Sequence, residues 1–256
     1  MTQPDDNGRA IDSFLRLDPA EAAFLLDVDG TLIDIGPSPF EVDVPETLLA
    51  ALARLLDLSG GALALVSGRP IRDLDTLFEP LKLPAVGGHG AETRLHAGEA
   101  ARRIADLPQS LRQFLVSAAA PDPRLEVEDK GYSVALHFRK APEHERHLRA
   151  HVEKGLAIYP NEALEMLSGK AMIEVKRPGV SKGEAVRALM MQAPFAGRRP
   201  VFVGDDVTDE TVFAVMPALG GESFSVSRAF DGVPYVFAAP ADVRRALARL
   251  AGTAAA

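Results

Sequence analysis

The stretch Ala22–Leu32, AAFLLDVDGTL, does most to narrow what the chain can become. Ala, Phe and Leu follow one another without polar alternation, which is how a strand buried on both faces reads. The run then breaks on Asp27 and Asp29, one residue apart, followed by Gly30 and Thr31. Such a break would put two carboxylates at the carboxyl edge of a sheet, where open α/β sheets bind their ligands. Anions held that close repel each other, and a divalent cation or a shared proton is the usual remedy.

Similar apolar runs recur along the chain. Ala62–Val66 closes in Ser67-Gly68-Arg69-Pro70, and Pro200–Val203 closes in Gly204-Asp205-Asp206-Val207-Thr208-Asp209-Glu210. Helical spacing separates the runs: Pro45 opens a helix whose Leu48, Leu52, Leu55 and Leu56 form one stripe. Ile71–Phe78, Ser181–Met191 with Lys182 at its start, Glu210–Met216 and Ala241–Ala251 read as further helices. Pro84–Gly87, Phe224–Val226 and Tyr235–Phe237 read as short strands. Alternating strands and helices predict an α/β core, a Rossmann-like doubly wound parallel sheet, over residues 21–106 and 178–256. The rhythm changes from about Asp106. A helix over Leu107–Ala119 precedes a hairpin of Arg124–Asp129 and Tyr132–Arg139. A helix over Pro142–Lys154 precedes a second hairpin, Ala163–Leu167 and Lys170–Lys176, turning at Ser168-Gly169. Helix plus hairpin, twice over, predicts an inserted α+β domain at 107–177. Residues 1–20 read as a flexible leader with a short helix around Ile11–Leu17, and Ile33–Val44, rich in Pro and Gly, as a loop.

Composition excludes several classes. The chain has 256 residues, 47% of them hydrophobic and 25% charged, which suits a globular protein with a useful core. A net charge of −8 speaks against a nucleic-acid binder, although a local basic pocket is compatible with it. Without cysteine there is neither a disulfide nor a thiolate metal site. The start, MTQPDDNGRAIDSF, lacks the pattern of a secretory signal, and no apolar run is long enough for a membrane span. The expectation is a cytoplasmic monomer acting on a small molecule.

If the strands are parallel neighbours, Ser67, Lys182, Asp205, Asp206 and Asp209 all converge on the rim that holds Asp27 and Asp29. That many carboxylate oxygens suit a hard cation such as magnesium. An anionic ligand would be held by the cation, Lys182, Ser67 and backbone amides near Gly30 and Gly68, and phosphate fits best. Asp206 and Asp209 read equally well as helix caps. His144, His147 and His151 share a helix face, but Glu143, Glu145, Arg146 and Arg149 between them mark it as solvated. Gly87-Gly88-His89-Gly90 lacks the spacing of a dinucleotide fingerprint.

These stretches carry a resemblance. DVDGT at 27–31, VSGR at 66–69, Lys182 and GDDVTDE at 204–210 are similar, in order and spacing, to the four motifs of haloacid-dehalogenase-superfamily phosphatases. Within that superfamily SGRP at 67–70, GHGAE at 88–92 and GKAMIEVKRPGVSKGEA at 169–185 resemble the trehalose-6-phosphate phosphatase family, over roughly 22–250. The resemblance implies hydrolysis of a sugar phosphate through an aspartyl phosphate on Asp27. It implies that Asp29 protonates the leaving sugar oxygen and then deprotonates water, a role needing a raised pKa that neighbouring negative charge would supply. It also implies Mg2+ on the Asp27 side chain, the Asp29 main-chain carbonyl and Asp205, with Asp206 and Asp209 supporting. Ser67 and Lys182 would offset charge on the phosphoryl oxygens, with Gly30, Thr31, Gly68 and Arg69 on the substrate side. The insert would be a cap, with Arg139, Lys170 and Glu174, and His89 and Glu92 from the core, as sugar-binding candidates. Lys170 and Glu174, four apart on one expected strand, would share a face. Two other readings stay open: a sibling enzyme for sucrose phosphate or another sugar phosphate, and a catalytically silent regulatory domain.

Overall fold

The computed structural model describes residues 4–36, 42–169 and 171–253. Two compact units divide the chain, Met1–Arg103 with Ser181–Ala256, and Ile104–Val180.

The first unit is the doubly wound α/β core. Its elements are α1 (Pro4–Phe14), β1 (Ala22–Leu26), α2 (Glu46–Leu58), β2 (Leu63–Val66), α3 (Ile71–Leu77), β3 (Ala85–Gly87), β4 (Glu92–Arg94) and β5 (Arg102–Arg103). After the insert and its own elements come α6 (Lys182–Leu189), β10 (Arg199–Gly204), α7 (Glu210–Phe213), β11 (Glu222–Val226), β12 (Tyr235–Phe237) and α8 (Pro240–Ala251). Among the described residues, eight strands form the sheet of this unit in the order β12-β11-β10-β1-β2-β3-β4-β5.

β1 lies between β10 and β2, parallel to both, with Phe24 opposite Val201 on one side and Leu63 on the other. The winding reverses around it, so the carboxyl ends of β1, β2 and β10 meet at one rim. Both faces of β1 are buried, which explains its unbroken apolar run. Phe24 and Leu26 face α1, α2 and α8 within one apolar cluster, and Ala23 and Leu25 belong to a second with Val186 and Leu189 of α6.

Two features depart from the sequence expectation. Within the expected leader the short helix lies earlier than Ile11–Leu17, as α1, and its Phe14 is 0% exposed among Phe24, Phe224 and Phe237, at ring distances of 6.2, 5.4 and 5.8 Å. An amphipathic stripe of Ala10 and Phe14 accounts for it: a lone aromatic aimed at a sheet suffices to dock a short helix. Beyond β3 the sheet also gains the antiparallel strands β4 and β5, whose charged residues carry no apolar pattern. There Arg94 is buried by donating to Asp75 and to the Leu83 carbonyl.

The second unit comprises α4 (Gln109–Ser117), β6 (Glu126–Asp129), β7 (Ser133–His137), α5 (Glu145–Ile158), β8 (Glu165–Gly169) and β9 (Met172–Lys176). Among the described residues its four strands form an antiparallel sheet in the order β6-β7-β9-β8. Leu111 and Leu115 of α4 and Leu148 and Val152 of α5 pack with Val134, Leu136, Ile173 and Val175 of the sheet. No described helix is long and apolar enough to cross a membrane.

Candidate active site

Asp27 continues β1 by one hydrogen bond, its N–H donating to the Val203 carbonyl at 2.9 Å. Its side chain faces the rim with the residue only 3% exposed. The backbone then turns sharply: Gly30 has φ +81°, and its N–H donates to Ile33 O at 2.8 Å. A Cβ at this position would lie 2.2 Å from Asp205 Oδ2, so residue 30 has to be glycine for the two loops to approach. Thr31 Oγ1 donates to Asp205 Oδ1 at 3.2 Å. Ser67 likewise extends β2, donating its N–H to Val86 O at 2.8 Å, and its buried hydroxyl accepts from Arg69 N–H at 3.1 Å.

Lys182 enters from α6. Ser181 caps that helix by accepting from Glu184 N–H at 3.2 Å. Gly183 lets the first turn close on α7: a Cβ there would stand 2.1 Å from the Thr211 carbonyl. Lys182, 3% exposed, donates at 2.7 Å to Asp27 Oδ1 and at 2.7 Å to Asp209 Oδ1. Asp209 is fully buried, and its other oxygen accepts the N–H groups of Asp205 and Asp206 at 2.9 and 3.1 Å. Asp206 is exposed and caps the following turn through Val207 N–H at 2.6 Å.

This cluster carries an excess of negative charge. Burial pushes the Asp27 carboxyl well above the usual range, Lys182 works against that, and Asp209 and Asp205 add to it. Asp205 is raised too, by burial and the charge of Asp209, while the Thr31 hydroxyl pulls it back. Burial opposes the charge on Lys182, but Asp27 and Asp209 outweigh it and hold the ammonium above its ordinary range. Ligand oxygens of Asp27, Asp205 and Asp209 lie within 4.8 Å of one another, a donor set for a hard cation. Both Asp209 oxygens already accept from protein donors, so Asp27 and Asp205 are the carboxylates with capacity left. A cation there would offset the negative charge that adds to burial in raising both acids.

Asp29 has a different setting. Its side chain is 39% exposed, and Arg69 grips it through two bonds, Nε to Oδ2 at 2.7 Å and Nη2 to Oδ1 at 2.5 Å. The charged neighbour beside Asp29 is thus a guanidinium, not the negative group expected from sequence. The Asp29 bonds in turn raise Arg69 above its ordinary value.

The expected sugar-side residues fall in both units, His89 and Glu92 in the core and Arg139 and Glu174 in the insert. The ring of half-buried His89 lies over Gly68. Glu92, on β4, accepts the Ile71 N–H at 2.7 Å and so serves the first turn of α3, behind the Ser67 loop. Arg139 is exposed in the turn after β7. Glu174 lies on β9, opposite Ala135 and Leu167. Lys170 lies outside the described residues. The expected shared face of Lys170 and Glu174 lies outside them with it; β9 itself begins at Met172. Two arginines had no sequence signal at all. Arg228 Nε donates to the Asp205 carbonyl at 3.1 Å, and Arg244 donates to the Leu32 carbonyl at 3.0 Å and to Asp34 at 3.1 Å.

A family model described as trehalose-phosphatase matches residues 25–234 of the chain. The trehalose-6-phosphate phosphatase of Escherichia coli (strain K12) is 44% identical over 211 residues, 81% of this chain and 78% of that protein. A probable trehalose-phosphate phosphatase of Sinorhizobium fredii (strain NBRC 101917 / NGR234) is 42% identical over 219 residues, 84% and 81% of the two chains. The solved trehalose-6-phosphate phosphatase of Aspergillus fumigatus superposes with a TM-score of 0.71 at 22% identity, covering 96% of this chain and 97% of that one, a likeness of fold.

Proposed function

The chain belongs to the trehalose-phosphatase family, and from that premise we propose that it hydrolyses trehalose 6-phosphate to trehalose and phosphate with Mg2+ as its cation. The observation that carries the reading is the buried cluster of Asp27, Lys182, Asp205 and Asp209 at the carboxyl ends of β1 and β10. Asp27 is the nucleophile. Its bond to phosphorus forms as the bond from phosphorus to the sugar oxygen breaks, and Asp29 gives that oxygen a proton. Water then attacks the aspartyl phosphate, Asp29 takes its proton back, and the Asp27–phosphorus bond breaks. The Arg69 bonds engage both Asp29 oxygens, so on this reading Asp29 gives and takes its proton beside a guanidinium.

Lys182 holds one Asp27 oxygen and contributes positive charge where the phosphoryl oxygens gather negative charge, and Ser67 contributes a hydroxyl to the same phosphoryl. The Asp27 and Asp205 side chains and the Asp29 carbonyl would hold Mg2+, which when bound adds charge that polarises the phosphoryl group. Asp209 orients Lys182 and the 205–206 amides, and Asp206 caps the loop. Of the backbone groups expected to face the phosphate, the Gly30 N–H is committed to Ile33 O and the Thr31 N–H to Val28 O, which leaves Gly68 for that role. Arg69, His89, Glu92, Arg139, Lys170 and Glu174 remain the candidates for the sugar. The acting form on this reading is a cytoplasmic monomer.

Phosphate release from a panel of sugar phosphates, with and without Mg2+, tests the proposal. Trehalose 6-phosphate should turn over fastest and only with the cation. Turnover of another sugar phosphate in its place would keep the chemistry and remove the substrate. No release from any would leave the silent-domain reading. Asp27→Asn should lower kcat at least ~10³-fold, as losses of a nucleophile do, with an unchanged circular dichroism spectrum. An active Asp27→Asn variant would mean the nucleophile lies elsewhere.

A further inference from the structure

We propose that Arg228, outside every motif of the sequence, is a positioning residue that holds the cation ligand Asp205 in register with Asp27. This rests on the reading above that Asp205 is such a ligand. Asp205 is held at each of its polar groups: its N–H donates to Asp209 Oδ2 at 2.9 Å, and its Oδ1 accepts from Thr31 at 3.2 Å. Its carbonyl accepts from Arg228 Nε at 3.1 Å. The first two contacts come from residues already assigned to the site. The third comes from the turn just after β11.

The chain is shaped to deliver that guanidinium. Ser227 takes φ +64° immediately after β11, its N–H donates to Phe237 O at 2.9 Å, and Arg228 N–H donates back to Val226 O at 2.8 Å. A serine in the left-handed region is strained, and the turn it makes sends residue 228 back over the acidic loop. Arg228 is half-exposed, yet its guanidinium is steadied 4.4 Å over the Phe230 ring and 3.8 Å from Asp206 Oδ1. Phe230 in turn packs at 5.2 Å on Phe213 of α7, the helix that follows the loop. Arg228 therefore ties the 205–209 loop to the turn after β11 and, through Phe230, to α7. As a bare charge, a guanidinium beside a carboxylate site would weaken cation binding. As a clamp it strengthens binding, and the two roles differ in sign.

Titration of the full-length protein with Mn2+, followed by the electron paramagnetic resonance of the free ion and without substrate, separates them. Arg228→Gln should weaken Mn2+ binding about 10-fold, the scale on which outer-sphere partners act, with an unchanged melting temperature in chelator. Arg228→Lys, which keeps the charge and one donor, should recover part of the loss. The Mg2+ concentration for half-maximal phosphate release should rise in parallel, while KM for the sugar phosphate at saturating Mg2+ stays put. Equal or tighter Mn2+ binding in Arg228→Gln would overturn the proposal. Wild type and Asp205→Asn binding Mn2+ alike would instead overturn the ligand assignment beneath it.

Discussion

Lys182 is where the charge balance of the site turns. It is the ammonium set between Asp27 and Asp209, and its removal strands two buried carboxylates. Lys182→Ala should therefore cost about 3–5 kcal/mol of stability at neutral pH, measured by urea unfolding in chelator, and should abolish turnover. A variant as stable as wild type would mean that Asp27 and Asp209 are protonated together. Residues of this kind were legible because each sits where an apolar strand stops or a helix starts, positions that sequence marks. Arg69, Arg228 and Arg244 were legible as arginines but not as partners. Their contacts join residues 40, 23 and 212 positions apart, and no spacing rule connects a lone arginine to a carbonyl on another loop.

Elements were readable where one period dominated. The strand cores and the Leu stripe of α2 carry theirs openly, whereas among its described residues α1 offers only Ala10 and Phe14 as fully buried apolar positions and β4 and β5 offer charged residues. In the insert the link from α4 to α5 hangs on Asp122, which accepts from the Arg124 side chain at 2.6 Å and from its N–H at 2.9 Å. His144 joins it at 3.0 Å, and Arg124 reaches on to Glu143 at 2.7 Å. The Arg124 side-chain bonds, then its N–H, hold the Asp122 carboxyl well below the usual range. A depressed carboxyl stabilises the folded state above the unfolded pKa of about 3.9, and that contribution fades as pH falls through the folded value. Asp122→Asn should thus lower the melting temperature at pH 7, and the difference from wild type should shrink below about pH 4. A gap independent of pH, read by differential scanning calorimetry, would mean that shape rather than charge joins these elements.

At the scale of the molecule, every residue of the Asp27–Lys182–Asp205–Asp209 cluster belongs to the core unit, and Arg139 and Glu174 belong to the insert. Replacing residues 104–180 with a short Gly-Ser linker should leave a core that still unfolds cooperatively and still releases phosphate from 4-nitrophenyl phosphate. Its preference for the sugar phosphate should be gone; a retained preference would assign recognition to the core alone. The doubly wound plan was visible in the order of apolar runs, because each strand buried on two faces announces itself. Strand adjacency was not, since nothing in a sequence says that β10 lies beside β1. That adjacency has a consequence for how the protein is made. β1 is central in the finished sheet, but its partner on one side is synthesised only after the whole insert. At ~5–20 residues per second of translation, the edge of β1 stays open for about ten seconds or more. An unpaired apolar edge is a template for other strands. The ribosome thus leaves an aggregation-prone edge open in every nascent copy until Arg199–Gly204 emerges to close it.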